Sequence, residues 1–256
     1  MSKATESTIQ KELNENWCLQ ETTKEEFVKE LLADQPFIPA YFSYNVALNK
    51  AGAPPFQESI DKVVRANELT GLQKDNPASG EWIIDSRDQA SYKAGHLPNS
   101  INLMNGEKFE IWLGSILKPK ERFYLASDSV EVRQQLIERS ASIGYEGSID
   151  QAININGGPI KSEILDLDDF RKHTDQFTII DVRNESEVKE HKFFANSLPI
   201  PLGEIRDRSE EIPTDKPIVV HCAGGYRSAA ASSLLASKLH GKAVVYDLGE
   251  TINEFS

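Results

Sequence analysis

The chain repeats itself once, at an interval the size of a domain. Ile83-Ile84-Asp85-Ser86-Arg87 returns as Ile179-Ile180-Asp181-Val182-Arg183 after 96 residues, and Asn99-Ser100 returns as Asn196-Ser197 after 97. The run from Arg122 to Ser127 (RFYLAS) returns as Pro217 to Cys222 (PIVVHC) after 95. A near-constant offset across separated markers is the sign of a duplicated unit, and the period lies well above the roughly 20–50 residues of solenoid repeats. The sequence therefore reads as two related domains, 72–158 and 159–256, behind a leader of 1–71. A chain of 256 residues has room for both without metals or disulfides to hold them.

Inside each half, short apolar runs alternate with helical stretches. Trp82 to Asp85, Arg122 to Ala126, Phe177 to Val182, Pro217 to Val220 and Ala243 to Leu248 have the character of strands buried in a parallel sheet. Ser129 to Ile143 and Ser228 to His240 read as helices, each followed by a glycine suited to a stop, Gly144 and Gly241. This alternation predicts an α/β fold: two tandem domains, each a parallel-sheet core flanked by helices. The leader is different. Thr23 to Ala33 has the Thr23–Glu26 spacing of a capping box and reads as a helix. Residues 36–56, with Pro36, Pro39, Pro54 and Pro55, read as extended or turning chain, and a helix is expected near Gln57 to Leu69. Residues 73–80 have linker composition.

Charge and cysteine usage narrow the function. Lys and Arg number 28 against 40 Asp and Glu, a net charge of −12. Such a surface repels phosphate backbones, so nucleic acid is not expected as a partner. No apolar run approaches the roughly 18 residues of a membrane span. No apolar segment follows Met1-Ser2-Lys3, so neither a membrane nor a secretion signal is expected. Two cysteines far apart, Cys18 and Cys222, provide neither a CxxC pair nor a disulfide framework, and the expected compartment is the reducing cytoplasm. None of the five histidines stands in an HxHxDH pattern, and no metal or other cofactor is expected.

The segment that carries chemistry is His221-Cys222-Ala223-Gly224-Gly225-Tyr226-Arg227-Ser228, between an apolar strand and a helix. A cysteine at the C-terminal end of a parallel strand sits where α/β sheets hold ligands. The first N–H groups of the following helix lack intrahelical partners. Gly224 and Gly225 let the backbone curl into an anion nest, and Arg227 adds a fixed positive charge. All three favour negative charge on or beside sulfur. A buried structural cysteine and a phosphate-binding loop remain as alternatives. The second lacks the GxxxxGK[ST] pattern.

These residues resemble the active-site loop of the rhodanese family of sulfurtransferases. Asp181-Val182-Arg183 upstream and Val244-Val245-Tyr246-Asp247-Leu248-Gly249 downstream are similar to the family's flanking segments. In the first half, Asp85-Ser86-Arg87 with Tyr92-Lys93-Ala94-Gly95-His96-Leu97-Pro98-Asn99-Ser100 resembles its N-terminal signature. The resemblance implies that Cys222 takes sulfane sulfur from thiosulfate or a low-molecular-weight persulfide and passes it to a thiophilic acceptor. On that reading Ala223, Gly224, Gly225, Tyr226, Arg227 and Ser228 bind the donor, and the partners are small sulfur-containing anions and thiols. Ser228 reads equally as an N-cap or a loop anchor. Asp181 and Arg183 are expected to support the domain by pairing, and His221 to be structural. A sulfur-carrier module is the alternative. Phosphatases and arsenate reductases share the nest but space Cys and Arg by five residues; here four separate Cys222 from Arg227, a smaller ring that suits sulfur.

The first half departs where it matters. Ser127 stands in the place of Cys222, and Asp128-Ser129-Val130-Glu131 contains no glycine and two carboxylates, so this half is expected to be a silent copy. The second half has His191-Lys192-Phe193-Phe194 where the first has Gly95-His96-Leu97, and the two phenylalanines pack either on the neighbouring domain or in their own core. In the leader, Glu12-Leu13-Asn14, Trp17-Cys18, Glu26-Phe27-Val28, Pro39-Ala40-Tyr41-Phe42 and Asn45-Val46-Ala47-Leu48-Asn49 resemble the C-terminal end of the metallo-β-lactamase domain of persulfide dioxygenases. That implies the back portion of a longer fusion, with a persulfide dioxygenase domain as a partner and Cys18 as an incidental thiol.

Overall fold

A computed structural model describes residues 6–33, 38–67 and 81–255, so the linker expected at 73–80 lies outside the described residues. The chain divides into two compact units, 1–37 and 38–256. In the first, helix α1 (Ile9–Glu15) is followed by a short turn of 3-10 helix and by α2 (Lys24–Leu32). The Thr23 and Glu26 side chains and backbones bond reciprocally at the start of α2, the expected capping box. Trp17 and Phe27 meet at 5.5 Å between ring centroids.

The second unit opens with α3 (Tyr41–Ala51), α4 (Phe56–Asp61) and β1 (Arg65–Ala66). The extended reading of 36–56 is thus corrected: 41–51 is helical. Its prolines bracket the helix, Pro39 before the first turn and Pro54 beyond the end, where a missing N–H costs nothing. The expected helix at 57–69 ends early, at Asp61, and part of that range lies outside the described residues. Next come β2 (Trp82–Asp85), α5 (Gln89–Ala94), β3 (Ser100–Asn102), α6 (Phe109–Ile116), β4 (Phe123–Ser127), α7 (Val130–Ala141) and β5 (Ile149–Asn154). The five strands form a parallel sheet in the order β1-β5-β4-β2-β3. Then α8 (Leu167–Lys172), β6 (Thr178–Asp181), α9 (Glu185–Glu190), β7 (Leu198–Pro199), β8 (Ile218–His221), α10 (Tyr226–Lys238) and β9 (Val245–Asp247) build a second parallel sheet, β7-β6-β8-β9. The α/β fold with two parallel sheets flanked by helices stands as the alternation predicted.

Alternation along each central strand sends its apolar residues to both faces. Ile84, Phe123 and Leu125 of the first sheet join Ile180, Ile218 and Val220 of the second in one continuous buried cluster, which also takes in Tyr41, Ile60 and Val63. The opposite faces have separate clusters, with Ile83, Tyr124 and Ala126 in one and Ile179, Val219, Phe170 and Phe194 in the other. Helix α10 belongs to the shared cluster through Ala230, Ala231, Leu234 and Leu235. Each such leucine contributes on the order of 1.5–3 kcal/mol by leaving water. Their burial fixes the axis of the helix and, with it, the loop at its start.

Candidate active site

Strand β8 delivers Cys222 at its C-terminal end, and α10 starts four residues later. Between them the chain turns through Ala223 and Gly224, both exposed, into Gly225 at φ +90°. That left-handed conformation suits glycine and aims its N–H backward: it donates to Cys222 Sγ at 3.1 Å. Gly225 is also the N-cap of α10 and provides no side-chain cap, so the positive end of the helix faces the loop without a capping oxygen. Ser228 is not the N-cap. Its hydroxyl donates to the Gly225 carbonyl at 3.1 Å and anchors the turn. Cys222 is only 2% exposed.

Arg227 does not stand free at the loop's far end. Its two terminal nitrogens donate to the Glu187 carboxylate at 2.5 and 2.7 Å, and its guanidinium carbon lies 5.5 Å from the centre of the Trp112 ring. Burial works against the Arg227 charge, but bonding to Glu187 outweighs it and raises the group above its ordinary range. The same bonding, led by the Arg227 hydrogen bonds, holds the Glu187 carboxyl below its usual range. Tyr226 points into the first domain, where its hydroxyl donates to the Met104 carbonyl at 2.6 Å.

Asp181 and Arg183 lie beneath the loop. The Arg183 guanidinium grips Asp181 through Nε at 3.0 Å and a terminal nitrogen at 2.7 Å, with both side chains buried, and its second bond goes to the His191 carbonyl at 2.7 Å. Phe193 covers that guanidinium at 4.5 Å, and Phe194 packs in the core of its own domain against Phe170 and His221. His221 is fully buried, and the loss of solvent drives its pKa down to about 4 although Asp181 opposes the shift. The ring is neutral at neutral pH, with Nε2 3.7 Å from Asp181.

Ser127 of the first domain lies at the end of β4, buried, with its hydroxyl donating to the Ser129 carbonyl at 2.9 Å. A cleft of about 640 Å³ reaches the outer side of the Cys222 loop at Gly224 and Tyr226. Asp88, Glu163 and Glu250 make its walls acidic, and Lys93 is tied to Asp247 at 2.8 Å. Among the described residues, no group of three His, Cys, Asp or Glu side chains is placed to hold a metal ion, and no helix is long and apolar enough to cross a membrane. Sequence order gave no hint of Gln89, Met104, Trp112 or Glu187 at this site, because each reaches the loop only through folding.

A profile of the rhodanese-like domain matches residues 65–158 and again 166–256. The uncharacterized protein YqhL of Bacillus subtilis (strain 168) is 32% identical over 84 residues, which cover 33% of this chain and 64% of that one. A sulfurtransferase of Allochromatium vinosum is 29% identical over 69 residues, 27% of this chain and 64% of that one. The chain therefore spans a little under two thirds of these relatives. A metallo-beta-lactamase from Staphylococcus aureus subsp. aureus COL matches 58% of this chain and 38% of its own, at 22% identity and a TM-score of 0.46.

Proposed function

This chain belongs to the rhodanese-like domain family, with two copies in tandem, and we propose that it is a sulfurtransferase whose reacting atom is Cys222 Sγ. The observation that carries this reading is the Gly225 N–H held 3.1 Å from that sulfur, at the start of a helix with no side-chain cap. A donor directed at sulfur favours the anion over the thiol and also stabilises a persulfide anion formed on it. The named activity of the Allochromatium vinosum relative supports the same assignment.

The reaction has two halves. The Cys222 thiolate attacks the outer sulfur of thiosulfate or of a low-molecular-weight persulfide. The donor's S–S bond breaks, and sulfite or a thiolate leaves with the electron pair. A nucleophile such as cyanide, sulfite or a thiolate then attacks the terminal sulfur of the Cys222 persulfide, and the thiolate returns. No oxidant or metal enters the balance. Ser127 places the first copy outside this chemistry.

Intact-mass analysis of wild type and Cys222→Ser, after thiosulfate or glutathione persulfide and then cyanide, tests the assignment. The expected result is a gain of about 32 Da per sulfur in wild type alone, reversed by cyanide. A wild-type chain that gains no sulfur from either donor overturns transfer from free donors and favours a carrier loaded by a partner such as a persulfide dioxygenase domain.

A further inference from the structure

The cysteine-less domain meets the catalytic loop at three consecutive residues. Gln89, the first residue of α5, donates from Nε2 to the Gly225 carbonyl at 2.7 Å. Tyr226 is bonded to Met104, and its ring lies against Gly106, where an added Cβ would stand 2.6 Å from Cε2. Trp112 of α6 underlies the Arg227 guanidinium. A fourth contact lies further along the helix: the Asn102 N–H of edge strand β3 donates to Ser233 Oγ at 2.9 Å. The three loop contacts are more than docking a helix requires. Starting from the reading of Cys222 as the transferring sulfur, we propose that Gln89 of the silent domain is a positioning residue for the active one, holding Gly225 so that its N–H stays aimed at Cys222.

The argument turns on what fixes a glycine. At φ +90° with no Cβ, Gly225 has little of its own to hold its peptide planes. Its carbonyl accepts from the Ala229 N–H and the Ser228 hydroxyl, both at 3.1 Å, but these donors belong to α10 and move with it. The Gln89 amide comes from a separate element. Across from it lies the chain at Gly249 and Glu250: a Cβ built on Gly225 would meet Gln89 Nε2 at 3.0 Å, Glu250 N at 3.1 Å and Gly249 C at 3.1 Å. The turn is thus held between two walls, one of them from the silent domain. Gln89 is itself braced, because Asp88 caps α5 through the Ser91 N–H at 3.0 Å and Lys93 pairs with Asp247. An amide at this place donates without adding charge. A carboxylate of the same length would set oxygen against oxygen.

The test compares full-length wild type, Gln89→Glu, Gln89→Ala and Ser233→Ala. The readouts are the pH–rate profile of iodoacetamide alkylation at Cys222, with exposed Cys18 as internal reference, and kcat and KM for sulfur transfer. The expected result for Gln89→Glu is alkylation at Cys222 about tenfold slower at pH 7, a profile displaced to higher pH, and a kcat lowered by a similar factor with KM within about twofold. Gln89→Ala moves the same readouts by less, and its short side chain retains the fold should the Glu variant melt early. Ser233→Ala removes a docking bond without touching the loop and leaves the profile in place. Wild-type profiles in both Gln89 variants, or an equal displacement in Ser233→Ala, would overturn the proposal. If no form of the chain loads sulfur while the Gln89 variants still alter alkylation, the sulfurtransferase reading falls and the positioning role stands.

Discussion

Asp85 and Arg87 in the first sheet and Asp181 and Arg183 in the second make the same buried pair, with Nε to carboxylate at 3.0 Å and the terminal nitrogen at 2.7 Å in both. In each, the same guanidinium closes on a backbone carbonyl eight residues ahead, Gly95 at 2.8 Å and His191 at 2.7 Å. The loops above them differ. Two residues separate Ser127 from α7, against three between Cys222 and α10. The Ser129 side chain caps α7 by accepting from the Val132 N–H at 3.1 Å, whereas α10 begins at uncapped Gly225. Glu187 and Arg227 face each other in the second domain, and their repeat positions hold Ser91 and Val132, so both members of the pair are missing together. The buried pair is kept in both halves and the uncapped glycine turn is not, so the fold does not depend on that turn.

If the two pairs are equivalent, breaking either should cost the same. Asp85→Ala and Asp181→Ala each leave an arginine buried without its partner, and each is expected to cost about 3–5 kcal/mol in urea denaturation. One apolar cluster runs through both sheets, so a single unfolding transition is expected in both variants. Unequal losses, or two separated transitions, would show that the halves are not energetically alike.

Acid stability separates the halves next. Ala126 occupies the repeat position of His221. The folded chain keeps His221 neutral down to about pH 4, while the unfolded chain binds that proton below its ordinary value of 6.5. The unfolded state therefore holds more protons in that window, and stability falls as the pH drops from 6.5 to 4, by on the order of 3 kcal/mol. His221→Leu should flatten the slope of the denaturation midpoint against pH. Burial also lowers His96 in the first domain. Carboxyls held below their usual range, Glu187, Glu110 and Asp88 among them, add slope toward pH 4, so the variant is expected to keep part of it. An unchanged slope would remove the distinction.

Strands buried on both faces were legible, because a short apolar run beside a polar turn has few other uses. Strands β1, β3 and β7 were not, since two or three residues carry no period, and neither was β5, whose IDQAIN mixes polar and apolar residues without an apolar run. Helix α3 was hidden because the prolines that mark its ends make the whole of 36–56 read as extended or turning chain. At the site, Cys222, Gly225 and Arg227 were visible because they lie within one short loop. Glu187 is three residues past Asn184, at the start of α9, and that spacing signals a helix start, not a partner 40 residues ahead. Gln89 and Gly106 come from the domain whose loop holds Ser127 in place of a cysteine, and nothing local marks them.

At Gly225 the comparison becomes one of activity. Gly225→Ala places a Cβ at 3.0–3.1 Å from Gln89, Gly249 and Glu250, on a residue at φ +90°. The turn must give way and its N–H must leave the sulfur. A loss of about a hundredfold in kcat is expected, with a stability loss of about 1–3 kcal/mol from the strained turn. Activity within tenfold of wild type would mean that the N–H is not what sustains transfer.

The smallest expected effect is the most informative. Ser127→Cys replaces a buried hydroxyl by a thiol of similar shape at the end of β4, and the fold should accept it. The new sulfur would face the Ser129 carbonyl, an acceptor, where Cys222 faces an N–H donor. The nearest helix start is already capped, and Asp128 and Glu131 add negative charge beside it. In a Cys222→Ser background, Ser127→Cys should therefore gain no sulfur from thiosulfate or glutathione persulfide by intact mass. Loading at more than about a hundredth of the wild-type rate would break the comparison, because the first domain would then lack only its nucleophile. No loading would place the difference in the loop as a whole: its length, the left-handed glycine it lacks and the two carboxylates it carries together decide whether a sulfur at this end of the sheet can hold charge.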